Sequence, residues 1–217
     1  MKMNDLYDLS HTLAAEYLAG FSYPWQALSG IKELIRELGP KLGGEYSEIE
    51  PEVWVHSTAK VAPTAYLGAP CIIGPGTEVR HCAFVRGSAL VGEGCVVGNS
   101  VELKNVILFD GVQVPHYNYV GDSILGYKAH MGAGSVTSNV KSDKTLVVVK
   151  NGGEQIPTGL KKFGAMLGDF VEVGCNSVLN PGTVIGRRSN VYPTSCVRGV
   201  GPENSIWKND GTVVTKK

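Results

Sequence analysis

Large apolar residues return at every sixth position from Val55: Val55, Val61, Leu67, Ile73, Val79, Val85, Val91, Val97, Leu103 and Phe109, with Pro115 next in the series. The position after the aliphatic is often glycine, as at Gly68, Gly74, Gly92 and Gly98. The fourth position after it is mostly small, as at Ala59, Ala65, Cys71, Thr77, Ala83, Ala89 and Cys95. A second block repeats the beat at Leu167, Val173, Leu179, Ile185, Val191 and Val197. An amphipathic helix needs apolar residues three and four apart, and a half-buried strand needs strict alternation, so period six fits neither. It fits a short strand that turns a corner after every unit. The aliphatic points inward, the small residue takes the corner, and three units close a coil whose edges are satisfied by the coils above and below. The expected fold is an all-β solenoid over residues 51–200.

The register slips between Pro115 and Met131, where Val120, Leu125 and Met131 are the expected core positions. It breaks over 137–166, a stretch with a β-prone apolar run and an Asn151-Gly152-Gly153 turn signal. That pattern predicts an inserted loop and a projecting hairpin. Residues 1–50 lack the repeat. Leu28, Ile31, Leu34, Ile35 and Leu38 form an apolar helical face that opens near Pro24 and stops at Gly39-Pro40, which predicts an N-terminal helical cap or linker. Residues 201–217 read as a short capping tail.

Composition narrows the classes. With 43% hydrophobic and 18% charged residues, the chain carries enough apolar surface for a substantial core. Its formal net charge of zero gives no support for nucleic acid or an acidic membrane as partner. The start has no basic segment followed by an apolar one, and no apolar run is long enough to span a bilayer, so a cytoplasmic location is expected. The five cysteines (Cys71, Cys82, Cys95, Cys175 and Cys196) form no CxxC pair and read as reduced core thiols.

Candidate chemistry gathers in the central coils. Arg86 and Lys104 are 18 residues apart and both follow a core aliphatic, so they should stack on adjacent coils about 5 Å apart. Like charges so close call for an anion between them, which points to a phosphate. The plainer alternative is two solvated cations, one of them paired with Glu102. Further on, His116-Tyr117-Asn118-Tyr119 breaks the hexad rule beside Pro115, which falls in a core slot. Histidine is the side chain best matched to general-base work near neutral pH.

Three spans then carry a resemblance: Gly98-Asn99-Ser100-Val101-Glu102-Leu103-Lys104, His116 through Asp122, and Met131-Gly132-Ala133-Gly134-Ser135-Val136-Thr137-Ser138-Asn139. In order, spacing and side-chain identity this region resembles the C-terminal acetyltransferase domain of the bifunctional bacterial N-acetylglucosamine-1-phosphate uridyltransferase. The likeness is strongest over 84–140. It implies a left-handed parallel β-helix of hexapeptide repeats and acetyl-CoA-dependent N-acetylation of an amino-sugar phosphate such as glucosamine-1-phosphate. It also implies a homotrimer with sites between neighbouring β-helices. His116 would be the general base. Arg86, Lys104, Tyr119, Asn139 and Lys144 would hold the sugar phosphate, with Lys144 matched more loosely than the rest. Ala133, Cys175 and Pro193 would line the coenzyme. His130 replaces an asparagine that contacts the sugar in the family, Cys175 and Pro193 stand where the family has small residues, and the excursion before Leu167 is longer. No glycine-rich, arginine-containing nucleotide loop occurs, so nucleotidyl transfer is not expected of these residues.

Two other classes compete, and a third possibility keeps the chemistry but changes the acceptor, for example to another nucleotide sugar or an amino acid. A sugar-phosphate binder or regulatory subunit would keep the anion site without turnover. A zinc enzyme of carbonic-anhydrase type on the same kind of coil would use three histidines. Here His81, His116 and His130 lack the HxxxxH pair of that family, and no metal is expected.

Overall fold

The computed structural model describes residues 1–216. Short parallel strands stack into a β-helix with three strands per coil. We label the faces one, two and three, the chain passing from one to three to two in each coil. Face one stacks Val53–His56, Cys71–Ile73, Ala89–Val91, the later half of Glu102–Leu108, the later half of Tyr119–Leu125, Ala165–Leu167, Thr183–Ile185 and Val200–Gly201. Face three stacks Lys60–Val61, Glu78–Val79, Val96–Asn99, Gln113–His116, His130–Met131, Glu172–Val173, Asn190–Val191 and Ser205–Trp207. Face two runs from Tyr66–Leu67 and Phe84–Val85 through the first halves of the two long strands to Val136–Thr137, Val178–Leu179 and Cys196–Val197. The coils continue past residue 200: Ser205–Trp207 adds a rung to face three, and antiparallel Val213–Thr215 covers its edge.

The core column matches the hexad expectation up to Leu103, then departs from it. Val91 pairs with Leu108 rather than Phe109, and Val97 pairs with Val114 rather than Pro115. Leu108 and Val114 therefore fill the core slots, both fully buried. Phe109 is displaced outward, where its ring lies 5.1 Å from Tyr7. Pro115 is pushed out of the core and is only partly buried. The cause is a step of five instead of six between Leu103 and Leu108, and a second such step lies between Val120 and Leu125.

Face one is buried on both sides. Alternation points Ile73, Val91, Leu108 and Leu125 inward, so Ile72, Leu90, Ile107 and Ile124 point outward, yet all eight are fully buried. The outer row is covered by the N-terminal segment. Pro24 opens a 3-10 turn through Gly30, and helix Ile31–Leu38 follows with Ile31 and Ile35 fully buried. The segment is fastened by polar bonds as well. Tyr7 Oη donates to the Ile124 carbonyl at 3.2 Å, Asn105 Nδ2 donates to the Leu28 carbonyl at 3.1 Å, and the buried Asp169 carboxylate accepts the Asp8 N–H at 2.8 Å.

After Thr137 the chain leaves the coil and forms the antiparallel hairpin Val148–Asn151 and Glu154–Pro157, turning at Gly152-Gly153. It rejoins face one at Ala165. Among the described residues, no helix is long and apolar enough to cross a membrane. All five cysteines are free, but only Cys71 and Cys95 are core thiols, with burial pushing both up to about 12. Cys82, Cys175 and Cys196 are exposed, which corrects the expectation for those three: each lies on an outward or corner position of its rung.

Candidate active site

Two corners bound face two, and each carries one part of the candidate site. At the corner leading to face one, the five-residue steps leave too little chain for an ordinary bend. Asn105 and Asp122 make the turn with φ of +55° and +47°, a region these short polar side chains tolerate better than most. Asp122 is 3% exposed, and its carboxylate serves as a hub. It accepts from Lys104 Nζ at 2.8 Å, from Asn105 Nδ2 at 3.0 Å and from Asn139 Nδ2. A buried carboxylate persists only with such compensation.

Asn139 also donates to Tyr119 Oη at 3.1 Å. The Tyr119 side chain lies along its own strand over Gly121, where an added Cβ would sit 2.4 Å from the phenol oxygen. Partial burial first, and Asp122 second, push the Tyr119 phenol above its ordinary value. Arg86 is one rung from Lys104, its N–H bonded to the Leu103 carbonyl at 2.8 Å. Its guanidinium pairs with Glu102 Oε1 at 2.8 Å. Carboxylates of the chain itself thus stand beside both cations, and the adjacent positive charges predicted from spacing are compensated internally.

The other corner joins face three to face two. Tyr117 turns it with φ of +52°, and Asn118, 2% exposed, locks it. The Asn118 amide donates to the Gly132 carbonyl at 2.8 Å and to the Ser135 carbonyl at 3.1 Å, while its oxygen accepts the His116 N–H at 3.1 Å. His116 therefore sits on a braced backbone with its side chain exposed. Above it the same corner position recurs rung by rung. Gly134 N–H bonds the His116 carbonyl at 3.0 Å, Asn176 N–H bonds that of Ala133 at 2.8 Å, and Thr194 N–H bonds that of Cys175 at 2.8 Å. His116, Ala133, Cys175 and Pro193 thus form one column along a single edge.

Three of the predicted acceptor residues converge: Lys104, Tyr119 and Asn139 meet around Asp122. Arg86 lies one rung away. His130 and Lys144 do not join them. His130 projects from face three, where its Nδ1 is 2.7 Å from Glu172 Oε2, and Lys144 is exposed in a turn of the excursion with φ of +58°. His81 and His116 are two rungs apart in one column and His130 stands in another, so the three imidazoles do not converge within the chain. Among the described residues, no group of three histidine, cysteine or carboxylate side chains could hold a metal ion. Asn118 and Asp122 fall inside the spans quoted from the sequence but were given no role there, and Asn105 was not singled out. The two five-residue steps are the signal that could have found Asp122 and Asn105.

Three-strand hexapeptide coils with a polar edge define a hexapeptide-repeat β-helix. The model of the family described as GMPPB C-terminal domain matches residues 70–200, and the chain belongs to that family. It is 31% identical over 205 residues to the bifunctional protein GlmU of Methanococcus maripaludis, covering 93% of this chain and 50% of that protein. It is 36% identical over 100 residues to a bifunctional sugar-1-phosphate nucleotidylyltransferase/acetyltransferase of Sulfurisphaera tokodaii, covering 46% of this chain and 25% of that protein. The chain thus spans half or less of the length of these relatives. Among solved structures, it is similar to a hexapeptide transferase family protein from Anaplasma phagocytophilum, with a TM-score of 0.43, 16% identity and coverage of 75% of this chain and 78% of that one.

Proposed function

We propose that the chain is an acetyl-CoA-dependent N-acetyltransferase acting on an amino-sugar phosphate such as glucosamine-1-phosphate. One observation carries the reading: the column His116, Ala133, Cys175 and Pro193 and the cluster Lys104, Tyr119, Asn139 and Asp122 border the same face from opposite sides. The donor runs along the column, so that its thioester lies beside His116, and the phosphate of the acceptor is held by Lys104 with Arg86. His130 and Lys144, remote from that cluster on their own chain, reach the acceptor from a neighbouring copy in a homotrimer.

In the reaction the amine lone pair attacks the thioester carbonyl carbon while the His116 imidazole takes a proton from nitrogen. The oxyanion collapses, the C–S bond breaks, and the coenzyme leaves as a thiolate that the imidazolium reprotonates. Tyr119, a neutral phenol that burial pushes further above its ordinary value, can donate a hydrogen bond to the sugar phosphate without adding charge.

A second reading, in which the chain binds sugar phosphates without turnover, is favoured by the altered pocket positions His130, Cys175 and Pro193. Incubation with acetyl-CoA and a panel of amino-sugar phosphates, followed by mass spectrometry of the acceptors, separates the two. The enzyme reading predicts an acetylated product from at least one acceptor. Saturable binding with no acetylated product would leave the binding-only reading in its place.

A further inference from the structure

The N-terminal segment does more than cover the outer row of face one. Its 3-10 turn over Pro24–Gly30 is tied to the Asp122 cluster by two routes. Along the first, the Leu28 carbonyl accepts from Asn105 Nδ2 at 3.1 Å, and the same nitrogen donates to Asp122 Oδ1 at 3.0 Å. An amide nitrogen carries two hydrogens, so these acceptors use both and fix the plane of the Asn105 side chain. Asp122 Oδ1 also holds Lys104 Nζ at 2.8 Å, and Asp122 Oδ2 holds Asn139. Along the second route, the buried Trp25 ring stacks on Tyr23 at 4.6 Å and lies 5.8 Å from the fully buried ring of Phe163. Phe163 and Gly164 bring the excursion back to the coil beside the same two polar residues. The Phe163 N–H donates to the Asn139 carbonyl at 3.0 Å, and the Gly164 N–H donates to the Asp122 carbonyl at 2.8 Å. An added Cβ at Gly164 would collide with the Gly121 carbonyl oxygen and Ser123 Oγ, so this staple is seated directly on the coil.

We infer that Trp25, Phe163 and Asn105 are positioning residues for the acceptor, through which the docked N-terminal segment sets the geometry of Lys104, Tyr119 and Asn139. Trp25 and Phe163 are buried and cannot touch a sugar phosphate, so their effect runs through Asn139 and Asp122. Asn139 passes it on to Tyr119 Oη at 3.1 Å, and Asp122 passes it on to Lys104. The coupling is reciprocal: an acceptor that needs this geometry binds better when the segment is docked, and holds the segment on the coil in return. The inference rests on the acyl-transfer reading for the identity of its ligand, whereas the geometry it concerns is present without turnover.

The test is magnetic-resonance measurement of side-chain amide exchange in asparagine-labelled protein, with the Asn139 signal assigned by its loss in Asn139→Asp. Wild type is compared with Trp25→Leu, Trp25→Phe, Asn105→Gly and Ile35→Ala. Asn105 has φ of +55°, which glycine adopts freely, so Asn105→Gly removes the amide without straining the corner. Ile35→Ala loosens helix Ile31–Leu38 away from both routes and controls for lost stability alone. Exchange at Asn139 should be about five-fold faster or more in Trp25→Leu and Asn105→Gly, the scale of one lost hydrogen bond. It should return to the wild-type rate in Trp25→Phe and stay there in Ile35→Ala. In turnover, the KM of the amino-sugar phosphate should rise by a similar factor in the first two variants, at unchanged coenzyme A affinity. Wild-type exchange in Trp25→Leu, equal acceleration in Ile35→Ala, or an unchanged acceptor KM where exchange is faster overturns the inference. Because exchange is read without ligand, failure of the acyl-transfer reading is a separate result, seen as no acetylated product from wild type with any acceptor.

Discussion

Removing the Asp122 carboxylate would leave the Lys104 ammonium and the Asn105 and Asn139 amides facing one another in a largely enclosed corner. Breaking a buried pair from one side costs about 3 kcal/mol or more, so Asp122→Ala should lower stability by that amount in denaturant titration. Asp122→Asn, which keeps the shape, should cost less. Thiol chemistry offers a second residue-scale check. Cys82, Cys175 and Cys196 are exposed and should react promptly with a disulfide reagent at pH 8, whereas Cys71 and Cys95 should react only on unfolding. If the donor follows the His116 column, coenzyme A should slow labelling of Cys175 and leave Cys82 unaffected. Equal rates with and without coenzyme would argue against that path.

At the scale of elements, the N-terminal segment is a wall of the solenoid. The outer row Ile72, Leu90, Ile107 and Ile124 would face water without it. Ile107→Ala should therefore cost about 2–4 kcal/mol, like truncation in any packed core, although Ile107 lies outside the hexad column. A cost below about 0.5 kcal/mol would mean that the segment does not pack there. The helix was legible from Leu28, Ile31, Leu34 and Ile35, because a four-residue beat shows in one chain segment. Its partner was not, because apolar residues on both sides of Cys71–Ile73 or Ala89–Val91 read simply as hydrophobic strands. The coil repeat was legible as far as Leu103. Past that point, two deletions at one corner shift the register while keeping apolar residues such as Phe109 in the old slots, so spacing alone misplaced Phe109 and Pro115. Of the candidate site, Lys104, Tyr119 and Asn139 were readable from the resemblance, but the role of Asp122, which accepts from Lys104 and Asn139, shows only once the shortened corners are seen.

For the whole molecule, the two core thiols make a statement about alkaline stability. Burial raises the folded-state values of Cys71 and Cys95 from 9.0 to about 12, so the unfolded chain releases these protons first. Their contribution is fully present below pH 9 and is lost as pH rises toward 12, by roughly 1.4 kcal/mol per pH unit per thiol. Unfolding curves between pH 9 and 11 should flatten in Cys95→Ala relative to wild type. Parallel slopes would show that this thiol titrates alike in both states.

On the proposed function, the braced edge bearing His116 performs acyl transfer onto an acceptor held by the Lys104 cluster. The most direct measurement is the rate of thiol release from acetyl-CoA, with glucosamine-1-phosphate as first acceptor, in wild type and His116→Ala. Coenzyme A affinity is checked in both, because Asn118 braces the histidine through its backbone and the column should survive the substitution. Acceptor-dependent release is expected in wild type, with a fall of at least 100-fold in the variant, within the range general bases contribute, at unchanged coenzyme affinity. Equal release by the two proteins would contradict the assignment of the base, and no release by wild type with any amino-sugar phosphate would contradict the transferase itself.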